Sequence, residues 1–471
     1  MRNTGAQVVV VGAGITGLAC AQRLLARGIE PLVLEAGDRV GGKITTVREA
    51  GYEFEAGPNT LMASSQGVFD LIRDAGLETE VIEPSPAAKK RYVLFHGALR
   101  AVPMSPISAL TSPLLGPMGV LGVIGDLFKR RPAETPDDET VTSFVRRRFG
   151  RRVLENLVSP FLSGVYAGDP DRLEAASSLR KLVEAERHSG GSVMRGLIGL
   201  RRAAGKPEQP RPKTRSITFR GGLCGLPERL AERLGDRVRL NTPVESLDID
   251  DHECIVRTGD GGEIVCDRVI LACEPPAAAP LVQPLDGGDP IARDLAEIEI
   301  ACVSVIGLAF KRTDVAHPLD GFGYLAGPGA SGPVLGCLFR SSIFPHTAPE
   351  GEVLLAAFVG GARHDIRGIS DTQILTLALT EISQRLGITA RPTRTFHRRW
   401  PVAIAQANQG HAARRQRIAA WSAGNPVSII SSAVFGVPLN DCIVGGQTEA
   451  ERIATALVSA TRATREVQPC P

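Results

Sequence analysis

The sequence predicts an α/β protein with three parts: a discontinuous Rossmann-like dinucleotide-binding domain, a substrate domain on a mixed, mostly antiparallel sheet, and a helical insertion. Three observations predict it. A run of valines passes directly into a Gly-x-Gly-x-x-Gly turn and a helical stretch near the N-terminus. Strand and helix patterns alternate again from Ile217, after a long helical region. The 471 residues exceed what one small core holds, so two or three domains are expected.

Gln7 to Val11 reads as a buried parallel strand, because consecutive valines suit a strand covered on both faces. Gly12-Ala13-Gly14-Ile15-Thr16-Gly17 follows at once. Leu18 to Arg27 is helical in pattern and Gly28 stops it. Pro31 to Leu34 is a second strand, closed by Glu35. Gly12 permits the tight turn, Gly14 lets the backbone approach a pyrophosphate, and Gly17 lets the helix pack on the strand. The helix start offers free N–H groups and a positive dipole end to the phosphates. Glu35 stands where a carboxylate accepts hydrogen bonds from an adenosine ribose. Strand, turn, helix and acid together predict dinucleotide binding, where the glycines alone would be a weak signal.

Composition narrows the function class. Basic and acidic residues number 54 and 51, and no long basic tract occurs, so nucleic acid is not expected as a partner. No two of the nine cysteines have Cys-x-x-Cys spacing, so neither a zinc site nor a dithiol motif is signalled, and reduced thiols in the cytoplasm are expected. The short apolar run at the N-terminus lacks a cleavage-site pattern. Ala101 to Gly125 is uncharged and long enough to span a bilayer, but Pro103, Pro106, Pro113 and Pro117 interrupt it. Three readings stay open for it: a pocket wall, a membrane-surface patch with Lys129, Arg130 and Arg131 meeting anionic lipid, and a buried loop-and-helix segment with a solvated basic end.

Further along, Glu55-Ala56-Gly57-Pro58-Asn59-Thr60 is a turn-rich loop suited to lie against a cofactor. Lys90 to Arg215 is helical in pattern with few strands, ending in the polar, proline-rich connection Gly205 to Arg215. Val238–Leu240, Val244–Ile249 and Val269–Cys273 read as strands. Ala301–Phe310, Gly321–Ala326, Pro333–Phe339 and Glu352–Val359 predict a mostly antiparallel sheet, and Gln373–Arg385 an amphipathic helix. From Val427 one more strand, a turn and a helix are expected. The resulting domain plan has a cofactor domain from 1–88, 216–299 and 396–471, a helical substrate or membrane-surface domain at 89–215, and a substrate-binding sheet domain at 300–395.

Asp38-Arg39-Val40-Gly41-Gly42-Lys43, so soon after Glu35, resembles the Arg-x-Gly-Gly segment of the flavoprotein superfamily that holds amine oxidases, phytoene desaturases and protoporphyrinogen oxidases. The resemblance implies FAD. Two glycines let the chain pass close to the flavin side, and Lys43 is within reach of a phosphate. No second Gly-x-Gly-x-x-Gly follows a strand and opens a helix, so a separate NADPH domain is not expected and the reduced flavin needs another oxidant, such as oxygen or a quinone.

Four further segments resemble the protoporphyrinogen and coproporphyrinogen oxidase family. They are Lys89–Leu94 with Gly97–Pro103, Gly164-Val165-Tyr166-Ala167-Gly168-Asp169-Pro170, Thr218–Pro227, and Gly436-Val437-Pro438-Leu439-Asn440-Asp441-Cys442-Ile443. The resemblance runs in one order from near residue 7 to near residue 450. It implies an oxygen-dependent enzyme of haem synthesis that takes six electrons from a porphyrinogen in three two-electron steps. FAD contacts would fall on Gly12, Ala13, Gly14, Ile15, Thr16, Gly17, Glu35, Ala36, Lys43, Gly57, Pro58, Asn59, Thr60, Val244, Trp400, Val437, Pro438 and Leu439. Arg91 matches the arginine that pairs with a substrate propionate. Gly164, Phe322, Leu325 and Phe358 match the residues that enclose the macrocycle. The chemistry agrees: a broad apolar ring edged by carboxylates needs flat apolar walls and a fixed cation, and arginine grips a carboxylate bidentately. The redox step belongs to the flavin, so no acid–base residue is named.

The sequence departs from the family at Ala405 and Ala407, where a proline and a tyrosine are usual, and at Ser431, where a glycine is. Those changes put the flavin contacts and the local backbone in question. An amine oxidase or desaturase, and a flavin- or porphyrin-binding protein without activity, stay as alternatives, as does the choice between protoporphyrinogen and coproporphyrinogen. O2 is the expected oxidant. A ferrochelatase-type partner, a homodimer and peripheral attachment at the inner face of the membrane stay open for a cytoplasmic protein.

Overall fold

The computed structural model describes residues 2–3, 6–131, 135–203, 213–250, 253–328, 330 and 332–467. Most of the Gly205 to Arg215 connection lies outside the described residues, and so does Cys470.

A parallel sheet of five strands forms the base of the nucleotide-binding part. Its order is Val238–Arg239, Pro31–Leu34, Val8–Val11, Arg268–Leu271, Val427–Ile429. The sheet therefore draws strands from the start, middle and end of the chain. Val8 and Val10 pack into one core and Val9 and Val11 into another, one on each face. This is why the valine run shows no polar alternation: both faces are covered. The helix Ile15–Ala26 lies on one face, and the long helix Leu439–Val467 packs against it. That approach depends on Gly446, where a Cβ would stand 2.3 Å from the carbonyl oxygen of Thr16.

The second body is a sheet of seven strands, in the order Arg394–Ala405, Ile300–Lys311, Glu352–Gly360, Val334–Leu338, Gly321–Leu325, Lys90–Phe95, Ala98–Ala101. All its neighbours are antiparallel except Gly321–Leu325 with Lys90–Phe95. The last two strands form a hairpin at the head of the stretch whose pattern is otherwise helical. The Tyr92-Val93-Leu94 run is buried there and reads as strand by its β-branched and aromatic content. The helix Asp371–Leu386 covers one face of this sheet through Ile374, Ala378, Ile382 and Leu386, and a capping box at Ser370 and Gln373 starts it.

Between residues 106 and 203 short helices gather on Leu162, Phe144 and Val145. Arg148 is buried among them and bonds to Glu186, with Asp126 at 3.5 Å. Ala101 to Gly125 contains two helices, Pro106–Thr111 and Gly116–Gly125. No described helix is long and apolar enough to cross a membrane. The stretch is buried in part, at Ser112, Leu114 and Leu115, whereas Met104, Ile107, Met118 and Leu121 are exposed, and Phe128 just beyond it is exposed by 83%. Lys129 does not point to solvent with its neighbours, because its Nζ donates to the carbonyls of Arg147 and Arg148.

Candidate functional site

The glycine turn leaves the sheet at Val11. Gly12 takes φ +107°, and its N–H donates to the Leu34 carbonyl at 2.8 Å. At Gly17 a Cβ would lie 2.1 Å from the Gly12 oxygen, so only glycine lets helix and turn meet. Gly14 differs: a Cβ there meets nothing within 4 Å. The open space lies at the start of the Ile15–Ala26 helix, whose first turn has neither a side-chain cap nor an acidic residue. Unshared N–H groups facing a cradle that a side chain would fill are what a pyrophosphate needs.

Other segments close around that turn. The Glu35 carboxylate accepts from the N–H of Ala13 at 2.7 Å and of Gly37 at 2.9 Å, and both oxygens keep a lone pair for a ribose. Ala36 is exposed beside it. The Thr242 N–H donates to the Glu35 carbonyl at 2.8 Å, which brings Val244 to the same edge. Gly41 donates to the Ala13 carbonyl at 2.9 Å. Arg39 fastens the Gly41-Gly42 turn through the carbonyls of Gly42, Val40 and Ile44. Lys43 pairs with Glu274 rather than standing free. Gly57 fits against Lys43 so closely that a Cβ would be 2.0 Å from the Lys43 oxygen. Pro58, Asn59 and Thr60 continue that loop, with the Asn59 amide donating to the Gly57 carbonyl at 3.0 Å. Trp400 Nε1 donates to the Ala56 carbonyl at 2.6 Å. Val437, Pro438 and Leu439 lead into the Leu439–Val467 helix. The set fits FAD: a phosphate cradle, a ribose acid and a loop against an indole.

The remaining candidates lie on the seven-stranded sheet. Leu325, Gly336, Phe358 and Val305 are cross-strand neighbours in one row. Such neighbours share a face, and the row is closely packed: a Cβ on Gly336 would stand 2.5 Å from the Tyr324 carbonyl oxygen and 3.4 Å from the Leu325 Cδ2. The helix Ser159–Tyr166 sits over Leu325, since a Cβ on Gly164 would be 2.3 Å from its Cδ2. Phe358 and Trp400 pack against one buried cluster, which links this row to the Gly57 loop. Arg91 is exposed, and its guanidinium lies 5.2 Å from the centre of the Phe322 ring. Phe322 and Leu325 are both half-buried on one strand. Ser431 has φ −159°, extended backbone that any residue adopts, so its replacement of glycine does not strain the chain.

One buried cation at this site escaped the sequence reading, and with it the charge on Glu55 that it faces. Arg340, wholly buried, donates to the Asn59 carbonyl at 2.6 Å and approaches Glu55 at 3.4 Å and Glu53 at 3.6 Å. Burial pushes the Glu55 carboxyl up to about 7, against the pull of Arg340, the Leu223 N–H and the Thr46 hydroxyl. Nothing local in the sequence joins Arg340 to Glu55, because 285 residues separate them.

Comparison with known proteins gives the family and the fold. The profile of the family described as flavin containing amine oxidoreductase matches residues 15–454. The chain is 33% identical over 432 residues to protoporphyrinogen oxidase 1, chloroplastic, of Arabidopsis thaliana, over 86% of this chain and 79% of the relative. It is 29% identical over 471 residues to coproporphyrinogen III oxidase of Bacillus subtilis, over 96% and 98% of the two chains. A crystal structure from Exiguobacterium, provisionally named a protoporphyrinogen oxidase, superposes with TM-score 0.79 at 25% identity, over 96% of this chain and 99% of that one. Cyclohexylamine oxidase of Brevibacterium oxydans shares the fold, with TM-score 0.70 at 18% identity over 96% and 99%.

Proposed function

The chain belongs to the family of flavin-containing amine oxidoreductases, and on that premise we propose that it is an oxygen-dependent porphyrinogen oxidase. It oxidises protoporphyrinogen IX to protoporphyrin IX, or coproporphyrinogen III to coproporphyrin III, with FAD as cofactor. The observation that carries this reading is an apolar row with a cation at its edge. Leu325 and Phe358 form the row under Gly164, Trp400 joins it to the Gly57 loop, and Arg91 stands over Phe322 beside it.

FAD, when bound, supplies the acceptor for a hydride from a methylene bridge and returns the electrons to O2. The chain's own residues orient and dry the ring. Leu325 and Phe358 present apolar surface to one side of the macrocycle. Arg91 grips a propionate at the edge, and its contact with Phe322 limits the rotamers lost on binding. Arg91→Ala is therefore expected to raise KM more than it lowers kcat, since the contact is made to bound substrate and transition state alike. Porphyrin fluorescence growing under air reads both constants. An unchanged KM would remove Arg91 from the substrate site.

We assign the exposed face of Met104, Ile107, Met118, Leu121 and Phe128 to a membrane surface. Five exposed apolar side chains within the stretch 104–128 call for a partner, and the exposed Arg130 that follows suits anionic headgroups. Ile107→Asp with Phe128→Asp should lower binding to phosphatidylglycerol-containing vesicles about tenfold or more, with flavin content unchanged. Vesicle binding equal to that of the parent would refute the assignment. A dimer that dissociates in the double variant would give the patch to a second copy instead.

A further inference from the structure

A cavity of about 290 Å3 adjoins the candidate FAD site and shares Val437 and Pro438 with it. Its walls come from the end of the Ser159–Tyr166 helix, the stretch 177–182, the strand end at Ala405 and Ala407, the helix His411–Gly424, and residues 432–438 with Asp441. The two alanines where larger residues are usual in the resembling family both face it.

Three buried polar atoms on this lining have no hydrogen-bond partner: His411 Nδ1, Arg415 Nε and Ser178 Oγ. His411 is 5% exposed. It lies one helical turn from Arg415, so the two share a face of their helix. Buried polar groups left unmatched cost stability, and three on one cavity wall mark a place where a ligand completes them. The charge balance tells which ligand. Burial and neighbouring Arg180 both disfavour the charge on Arg415, while Glu174 and Asp441 favour it. Glu174 is already committed, accepting from the Ala412 N–H at 2.8 Å and the Ser177 hydroxyl at 2.6 Å. Burial, then Arg415 and Arg414, disfavour charge on His411, against a hydrogen bond to the Ala433 backbone. The wall thus sets Arg180, Lys181 and Arg415 against the single carboxylate of Asp441, with unused donors, and adds apolar surface from Ala405, Ala407, Leu173 and Val434.

We propose that this cavity is a carboxylate-binding subsite for an acid on an apolar stem, gripped by Arg415 with Ser178 and His411. Two sources share that chemistry. One is a propionate of the tetrapyrrole, distant from the group held by Arg91; this arm rests on the porphyrinogen reading. The other is a free short-chain carboxylate held next to the flavin segment. A tetrapyrrole with four carboxylates would reach both cations more readily than one with two.

The test uses the FAD-loaded enzyme and three probes: coproporphyrin III, protoporphyrin IX and propionate. Porphyrin binding is read by fluorescence and propionate binding by calorimetry, for the parent, Arg415→Gln and Ala407→Phe. The second variant fills the space and leaves every charge in place, so it decides alone if the first does not fold. The subsite predicts that both variants weaken coproporphyrin III about tenfold or more, the usual effect of losing a charged hydrogen bond. Protoporphyrin IX should change by less than about twofold; a loss equal to that of coproporphyrin III gives the subsite to a propionate the two share. Propionate binding lost in both variants, with porphyrins unaffected, makes the free acid the ligand. If the parent binds neither porphyrin, the porphyrinogen reading fails and the propionate arm judges the cavity by itself. Affinities for all three probes unchanged by the substitutions, or absent in the parent, overturn the subsite.

Discussion

Gly17→Ala is expected to yield protein that retains no flavin. The added Cβ would stand 2.1 Å from the Gly12 carbonyl oxygen and 3.1 Å from the Ala272 Cβ. Neither neighbour is free to yield. The N–H of Gly12 is bonded to the Leu34 carbonyl, and the N–H of Ala272 to the Val11 carbonyl, both at 2.8 Å. The helix cannot back away, because Gly446 of the Leu439–Val467 helix presses on the Thr16 oxygen behind it. Overpacking against fixed backbone costs at least about 3 kcal/mol and shifts the helix start that must face the pyrophosphate. Gly14→Ala separates the two effects. Its Cβ points into open space, so the fold should keep its melting temperature while FAD affinity falls, because the methyl occupies the phosphate approach. Flavin absorbance after gel filtration and a thermal melt read both variants. Gly17→Ala with full flavin content and an unchanged melt would show that turn and helix do not meet as described.

That contrast shows what a sequence carries plainly. The roles of Gly12, Gly14 and Gly17 depend on neighbours a few residues away, so spacing alone suggests them. The parallel sheet was legible for a similar reason: Val8 to Val11 can be uniformly apolar only if both faces are covered, and the two cores on either side of it supply that cover. The hairpin at Lys90–Phe95 and Ala98–Ala101 was harder to see. It lies at the head of a helical stretch, and its partner strand begins at Gly321, so the long-range pairing decides. Of the cavity at His411 only the replacements at Ala405 and Ala407 were legible. Ser178, Ala407, His411 and Asp441 meet only after the strand end and the two helices are in place, so no local pattern places the polar groups around the space those alanines leave. Arg340 belongs to the same class, as one arginine among many until the fold buries it.

Arg340→Met should destabilise the protein by about 3–5 kcal/mol, with a deficit that deepens as pH rises. Arg340 is wholly buried, with its guanidinium 4.7 Å from the centre of the Phe344 ring and its Nη1 on the Asn59 carbonyl. Methionine keeps much of the volume and removes the charge, which leaves Glu55 and Glu53 without the cation beside them. The pH dependence follows from the sign of the Glu55 shift. Its folded carboxyl is pushed up to about 7 from 4.5 by burial, so over that interval the folded state holds a proton that the unfolded state has released. Its contribution to stability therefore declines as pH rises from 4.5 through 7. Loss of Arg340 removes the main influence opposing burial, so the folded value climbs and the decline extends to higher pH. His411 has the opposite sign: burial pushes it down to about 4 from 6.5, so stability is lost as pH falls below 6.5. Comparison above neutrality keeps that histidine neutral in both states and isolates Glu55. Denaturant midpoints for Arg340→Met should thus fall further below the parent at about pH 9 than at about pH 7, and adding Glu55→Gln should flatten the difference, since the amide cannot ionise. Flavin retention should fall with the midpoint, because the Asn59 carbonyl loses its anchor beside Gly57. A constant deficit at both pH values would mean that Glu55 does not titrate with Arg340, and that the pair holds the loop by packing rather than by charge.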